Sequence, residues 1–591
     1  MRLPFACLVP LALLSASPQL EAQWSSDAQV NLSVTLGTSE QVQPKAVASG
    51  DGGFFVSFFD NNPSGSPAFG YDVYLQRLDR QGQRQWSGDG VLIADRSFSS
   101  TQDYGLALDV GGHALLAFRD SRFVGTQITA TRVDANGNQV WGPTGVQLTN
   151  TTAFVASPKV AGLSDGGIAV AWTEGNSVRV QKLAPGGQKV WLQDIVLAPV
   201  TGSHSLADLQ PGENGSVIVS FVRQSGGFST PRHLIAQKLD AAGSLLWGAG
   251  GVAVFDGGSL QIGNFPSFLP DGAGGAVFGW YSSTPVLECR AQRLNAQGQE
   301  LFPHNGTPAS TDPSKSRTQP YVAFDAAEQE TFLVYIEGTL NADGISAQKY
   351  DALGQRQWSN LGVAVLPLTA TDCTGAAGVA LNDGLQCFWI AQPTFGQATV
   401  TGLVLNDAGV PVGGPIGIGT TVSNKLRLSA QKSSLGFGLA LWQDAALGND
   451  DVRAQNLLPN GQLGGNALVT PINGTGLNPA VFSAAQGPQI GLPLTTSVAH
   501  GGNVLVSQTY GHQAGLGVGL LLPGLGELLV DLGSPLLYST SVASSGASDS
   551  HSAPVPLNLA LVGLTLRSQA LYLRTDFSLQ LCNALDLTVG L

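Results

Sequence analysis

Charge is what this sequence has least of. Only 12% of its 591 residues are Asp, Glu, Lys or Arg, about half the roughly 25% of an average globular chain. The few charges lean acidic, with 28 Lys and Arg against 41 Asp and Glu, a formal net charge of −13. That balance excludes a general nucleic-acid binder, which needs a basic footprint. It also excludes polybasic docking on anionic membranes. Methionine occurs once and lysine is absent from residues 480–591. Cysteine occurs five times, with no Cys-x-x-Cys, so neither a zinc ribbon nor a thioredoxin-like site is supported. Glycine, in contrast, occurs 76 times and proline 32 times, and 43% of the chain is hydrophobic. Such a composition suits neither a long-helix protein nor a disordered one.

Residues 1–22, MRLPFACLVPLALLSASPQLEA, begin with Arg2. An apolar run from Leu3 to Leu14 follows, then small residues. This is the layout of a secretory signal peptide cut after Ala22 or a few residues earlier. The run is too short for a membrane span of about 20 residues, so no span is expected after cleavage. Cys7 lies within the signal, leaving Cys289, Cys373, Cys387 and Cys582. In an oxidising compartment Cys373 and Cys387 are close enough in sequence to pair. Two buried free thiols fit the spacing equally well.

The dominant signal is a repeat. It reads QRLDRQGQRQW at 76–86, TRVDANGNQVW at 131–141, QKLAPGGQKVW at 181–191 and QKLDAAGSLLW at 237–247. It continues as QRLNAQGQELF at 292–302 and QKYDALGQRQW at 348–358, then more weakly at 403–413 and 455–465. The shared glycines, from Gly82 to Gly461, are spaced by 50 to 56 residues. Each copy reads as an alternating strand, a tight Asp-x-x-Gly turn and a strand carrying Trp or Phe. Upstream lies a second hairpin, clearest as SDGGIAVAWTE at 164–174. Four antiparallel strands per unit predict an all-β fold, an eight-bladed β-propeller with seven blades as the alternative. Residues 23–38 look like a detached copy of the last strand, of the kind that closes such a ring. The propeller is assigned to 23–470 and a linker to 471–479. Residues 480–591 read as a small β-sandwich. The apolar stretch Gly515–Val530 contains Pro523 and Glu527 and reads as a buried hairpin.

These units resemble a repeat common in large secreted proteins of Gram-negative bacteria, carried here by Asp72-Val73-Tyr74-Leu75-Gln76-Arg77-Leu78-Asp79 and Asp451-Val452-Arg453-Ala454-Gln455. The resemblance covers about residues 24–470 and implies an exported propeller without implying a reaction. The tail resembles C-terminal β-domains of exported proteins of environmental bacteria. The Asp-to-Trp spacing differs from the sialidase Asp box. It also falls one residue short of the docking motif of quinone-dependent alcohol dehydrogenases, and the adjacent cysteines of those enzymes are missing.

No residue stands out as catalytic, cofactor-binding or metal-binding, and the binding residues are not identifiable. The histidines His113, His204, His233, His304, His500, His512 and His551 lack the spacing of a helical zinc pair. Asp134-Ala135-Asn136-Gly137-Asn138 hints at a calcium loop but occupies a hairpin turn and lacks the distant Glu. Asp60, Asp120 and Asp444 end the second strands of their units. They are placed either to line a rim that binds a cation or sugar, or to cap the strand exit. Tyr71, Tyr74 and Tyr281 are candidates for stacking on sugars. The expectation is an exported, non-enzymatic binding or structural propeller whose partner is polysaccharide or an envelope protein. The alternative is a carbohydrate-active lyase or hydrolase working at the channel mouth.

Overall fold

A computed structural model describes residues 23–61, 70–98, 103–446, 448–513 and 519–591. The signal-peptide reading of 1–22 lies outside the described residues. The fold is all-β and propeller-like. Between Leu32 and Leu457 the chain forms eight antiparallel sheets of four strands, the fifth having its first strand split in two. Strand order within the first seven sheets follows the chain. The first strands touch in succession, from Gln41–Ala48 through Gly105–Leu108, Val155–Gly162 and Ser203–Pro211 to Phe268–Pro270. Ser316–Asp325, Asp372–Leu381 and Lys425–Lys432 follow, and the last of these touches Gln41–Ala48 again.

The repeated motif is explained by contacts within a sheet and between neighbours. Its Gln is buried and ties the third strand to the chain beyond it. Gln348 Oε1 accepts from the Lys349 and Trp358 amides at 3.0 and 3.2 Å, and Nε2 donates to the Ser359 carbonyl at 2.9 Å. Gln292 repeats the pattern. The next residue, Arg or Lys, reaches an acid near the first hairpin of its own sheet. The pairs include Arg77–Asp51 and Arg132–Asp109 at 2.6 Å, and Lys238–Glu213 at 2.6 Å. The Trp serves the following sheet. The Trp86 indole donates to the Ala135 carbonyl, Trp141 to Pro185, Trp191 to Ala241, Trp247 to Ala296 and Trp358 to Asp407, at 2.8 to 3.2 Å. Each acceptor lies in the Asp-x-x-Gly turn or its variant one unit on.

The seventh and eighth copies carry Gly413 and Gly465 where the others carry Trp or Phe. The chain's other end makes good the second loss. Trp24 is fully buried and its indole donates to the Arg80 carbonyl at 2.9 Å. Its ring lies under Gly82, whose φ is +82° and where a Cβ would meet the ring at 2.7 Å. Leu32–Ser33 pairs with Asp451–Leu457 as the fourth strand of the eighth sheet. The weak last strand of the eighth copy, Leu468–Ile472, pairs instead with Leu579–Thr588. Residues 471 and 472, read from composition as the start of a linker, are therefore part of a strand.

With that strand the tail forms a five-stranded sheet, a three-stranded sheet and a two-stranded hairpin. It packs on the seam between the first and eighth sheets, where Phe54 and Phe437 share one apolar core with Ile490, Leu494 and Leu591. Arg80 donates to the Ile490 carbonyl at 2.9 Å. Leu520–Leu522 and Gly526–Leu528 make the expected hairpin. Its burial is corrected for one strand only: Leu520 and Leu521 are about 60% exposed, whereas Glu527, Leu529 and Val530 beyond the turn are buried. Residues 514–518 lie outside the described ones. All four described cysteines are free and buried. Cys373 sits opposite Ala391 and Cys387 opposite Gly378. That separation of four residues along one strand is about 13 Å, well beyond disulfide reach. Among the described residues no helix is long and apolar enough to cross a membrane.

Trp24→Ala should lower the unfolding free energy by about 3–5 kcal/mol, the cost of emptying a large buried aromatic site. Gly82→Ala should cost at least about 1 kcal/mol from its positive φ alone. Urea midpoints matching wild type for both variants would show that the N-terminal segment does not hold the circle closed.

Candidate functional site

Six of the eight first strands carry a one-residue bulge. The register slips between Val42 and Lys45, Ala156 and Lys159, Leu206 and Asp208, Thr318 and Tyr321, Cys373 and Gly375, and Leu426 and Ser429. In three of them a proline supplies the cause. Pro44, Pro158 and Pro320 have no amide to give the ladder, and proline inside a sheet is confined to edges and bulges. The residues before them, Gln43, Ser157 and Gln319, have φ of 57°, 49° and 51°, a strained conformation for residues with a Cβ. The residues after them are Lys45, Lys159 and Tyr321.

Lys45 and Lys159, with Tyr104 and Asp208, line a cavity of about 370 Å³. Its wall takes residues from six sheets, which places it on the axis of the circle. Lys45 Nζ donates to Asp103 Oδ1 and to the Tyr104 carbonyl, both at 2.6 Å, and Lys159 Nζ bonds the other Asp103 oxygen. The Asp208 carboxylate accepts from the Phe268 amide and from Gln210 Nε2, each at 3.1 Å. Burial alone would raise the Asp103 carboxyl, but Lys159 and Lys45 outweigh it and hold it well below the usual carboxylate range. Tyr104 is fully buried, and burial pushes its phenol far above the ordinary value. Its hydroxyl bonds the Gln43 and Ser57 carbonyls at 2.9 and 3.0 Å. Tyr321 reaches from the sixth sheet to the Ala430 carbonyl of the eighth.

A second cavity, of about 390 Å³, opens where the fifth sheet's first strand is broken between Leu260 and Phe268. Phe265 and Ile262 from the intervening loop are about half exposed there. Trp280, Tyr281 and Tyr321 complete an aromatic wall. The two cavities share Leu269.

The acids that end the second strands do not converge. Asp60 accepts from Ser39 Oγ at 2.6 Å and Gln41 Nε2 at 3.2 Å. Asp120 pairs with Arg122 at 2.7 Å and Asp444 with Lys425 at 2.5 Å. Each closes the exit of its own strand. Asp134 accepts from the Asn136 and Asn138 amides and from Asn138 Nδ2, all at 2.9 Å, so the 134–138 segment is a satisfied turn. Tyr71 donates to Glu40 at 2.7 Å, and Tyr74 is buried in a stack with Phe58. Of the three tyrosines only Tyr281 lines a cavity described here. His113 contacts Asp109, and His304 contacts Glu300 and Asp256. His512 contacts the Ser534 carbonyl.

In the tail, Ser507 contacts both Asp549 and His551, and His500 contacts Asp549 at 3.0 Å. A nucleophilic triad places His between Ser and Asp, whereas here Ser stands in the middle and is fully buried. The cluster bridges the five-stranded sheet to the three-stranded one.

Sequence reasoning missed Lys45, Asp103, Tyr104, Lys159 and Asp208. A signal was present for two of them: Gln43-Pro44-Lys45 and Ser157-Pro158-Lys159, echoed by Gln319-Pro320-Tyr321, recur at one place in their units.

No family model and no curated protein matches the chain. Among solved structures it is similar to the Dos1 propeller at 12% identity, with 72% of this chain and 94% of that one covered and a TM-score of 0.38. It is similar to puromycin hydrolase at 13% identity, covering 72% of this chain and 62% of that one, with a TM-score of 0.35. A xylan β-1,4-xylosidase from Bacillus halodurans C-125 gives 12% identity, 72% and 88% coverage and a TM-score of 0.25.

Asp103, Asp109, Asp165 and Asp444 share one pH response. In each, burial would raise the carboxyl, and paired cations and hydrogen bonds overcome it and lower the pKa below the ordinary 3.8. A depressed carboxylate stabilises fully above its unfolded value and loses that contribution as pH falls through the folded one. The gap in urea midpoint between wild type and Asp444→Asn should therefore be full above about pH 5 and narrow below about pH 4. A gap that stays level down to about pH 2.5 would contradict this assignment.

Proposed function

We propose that the chain is an exported eight-bladed propeller whose eight sheets are the blades, with a small β-sandwich as its C-terminal domain. The propeller occupies the assigned 23–470 except for strand Leu468–Ile472, which joins the tail ahead of 480–591. In this reading the protein binds polysaccharide at the mouth of its channel. The observation that carries it is the pairing of two cavities there. One is lined by ammonium, carboxylate and amide groups around Lys45, Lys159, Asp103 and Asp208. The other is walled by Phe265, Tyr281 and Trp280. A sugar offers hydroxyls that both donate and accept, and C–H faces that lie on aromatic rings. Loops and bulges on a rigid scaffold are where such sites are built.

Binding is better supported than acid–base chemistry at the same mouth. A group that transfers protons needs a pKa near the working pH. Asp103 is held ionised by two lysines and Tyr104 is held neutral by burial, so each keeps one protonation state near neutrality.

The test is a glycan array probed with the full secreted chain and with the Lys159→Ala and Phe265→Ala variants, the released material being followed by mass spectrometry. Wild type should retain a polysaccharide without cleaving it, and each variant should bind about tenfold more weakly, the loss of roughly 1.4 kcal/mol. Chain-length products would turn the reading to an enzyme, and no retained glycan would remove the polysaccharide ligand.

A further inference from the structure

The fourth sheet departs from its neighbours at one row. Arg223 faces His204 on one side and His233 on the other as direct cross-strand partners. Directly opposed residues project from the same face of a sheet, and like charges so placed repel. The corresponding second-strand position is an acid in five other sheets: Asp60, Asp120, Glu174, Glu337 and Asp444. Each of those acids is engaged, by Ser39, Arg122, Arg179, Arg317 and Lys425 respectively. At Arg223 the sign is inverted. Among the described residues no hydrogen bond or ion pair reaches its guanidinium.

Arg223 and His204 line a cavity of about 450 Å³ between the third and fourth sheets. Val196, Val200, Phe221 and Leu245 give it an apolar wall beside the polar Thr201, Ser225 and Gln237, and Val200 is fully exposed. His204 packs its ring on Phe221 at 4.5 Å. Its Nδ1 lies 3.1 Å from the Leu197 carbonyl. A carbonyl only accepts, so Nδ1 carries the proton, and Nε2 becomes a second donor when the ring is protonated. Burial first, then the Arg223 charge, lowers His233. Burial also lowers His204, where the Leu197 bond opposes and Arg223 adds. The carboxylate facing His233 is Asp256, which opposes the shift and is itself engaged by His304 at 3.1 Å.

We propose that this cavity binds a small organic carboxylate with an apolar body. The planar guanidinium of Arg223 matches a carboxylate in a two-pronged bond. His204 and His233 add positive charge when protonated, and the valine, leucine and phenylalanine walls take the apolar body. The site is separate from the channel mouth and stands whether or not the polysaccharide reading does.

Octanoate is the probe and octanol its neutral counterpart, titrated by calorimetry into the full chain at pH 6 and pH 8. Octanoate should bind one to one and more tightly at pH 6, because an anion favours the protonated imidazoles. Octanol should bind about tenfold more weakly, and Arg223→Gln should lose octanoate affinity by about the same factor. Arg223→Lys should recover part of it. Equal affinity for octanoate and octanol overturns the proposal, as does no octanoate binding at millimolar concentration or unchanged affinity in a folded Arg223→Gln. Should that variant fail to fold, the histidine resonances of the wild type decide. Saturating octanoate must raise the titration midpoints of His204 and His233, and their standing still overturns the assignment.

Discussion

Everything in this molecule leans on one contact: the indole of one unit set against the turn of the next. A four-stranded sheet exposes two apolar faces and cannot bury both by itself. Trp supplies area to cover one of them and an N–H that must find a partner once buried. In the five units whose motif ends in Trp, the partner is a turn carbonyl in the following unit, as in Trp191 to Ala241 and Trp358 to Asp407. The contact is thus apolar, directional and intersheet at once. It sets the spacing of neighbours, and a close-packed glycine turn lets the ring approach.

The same contact explains the ends of the chain. A series in which each unit serves the next leaves the first turn without an aromatic and the last sheet without its outer strand. Trp24 and Leu32–Ser33 make up both shortages in one short segment. The strand that would have filled the eighth sheet is released to the tail, and the tail covers the seam. Low charge content belongs to the same economy of contacts. Several of the basic residues lie inside a sheet against an acid of their own unit, as Arg132 with Asp109 and Lys238 with Glu213.

Departures from the repeat mark the places with chemistry. The bulges at Pro44 and Pro158 turn two lysines onto one aspartate at the axis. The broken first strand of the fifth sheet opens an aromatic cavity. The inverted charge at Arg223 sits in another. Locally consistent sequences fold well, and inconsistency tolerated at a few positions is where function is to be sought.

The repeat was legible because it is written in one dimension: alternation, a glycine turn and an aromatic recur every 50 to 56 residues, and strand chemistry is local. From that pattern alone come the all-β class, the four-strand unit and the role of residues 23–38 as a borrowed strand. Asp60, Asp120 and Asp444 were legible as strand ends, and their two possible roles were not separable, since the choice hung on whether Ser39, Arg122 and Lys425 reached them. The axial cluster was not legible either. Lys45, Asp103, Lys159 and Asp208 lie in four different units and carry no shared spacing to any metal or catalytic pattern. Sequence determines which residues form each sheet because hydrogen bonding and alternation are near-neighbour effects. Only the closing of the circle decided which side chains meet at its axis, because that juxtaposition is made by the angle between sheets and not by any separation along the chain.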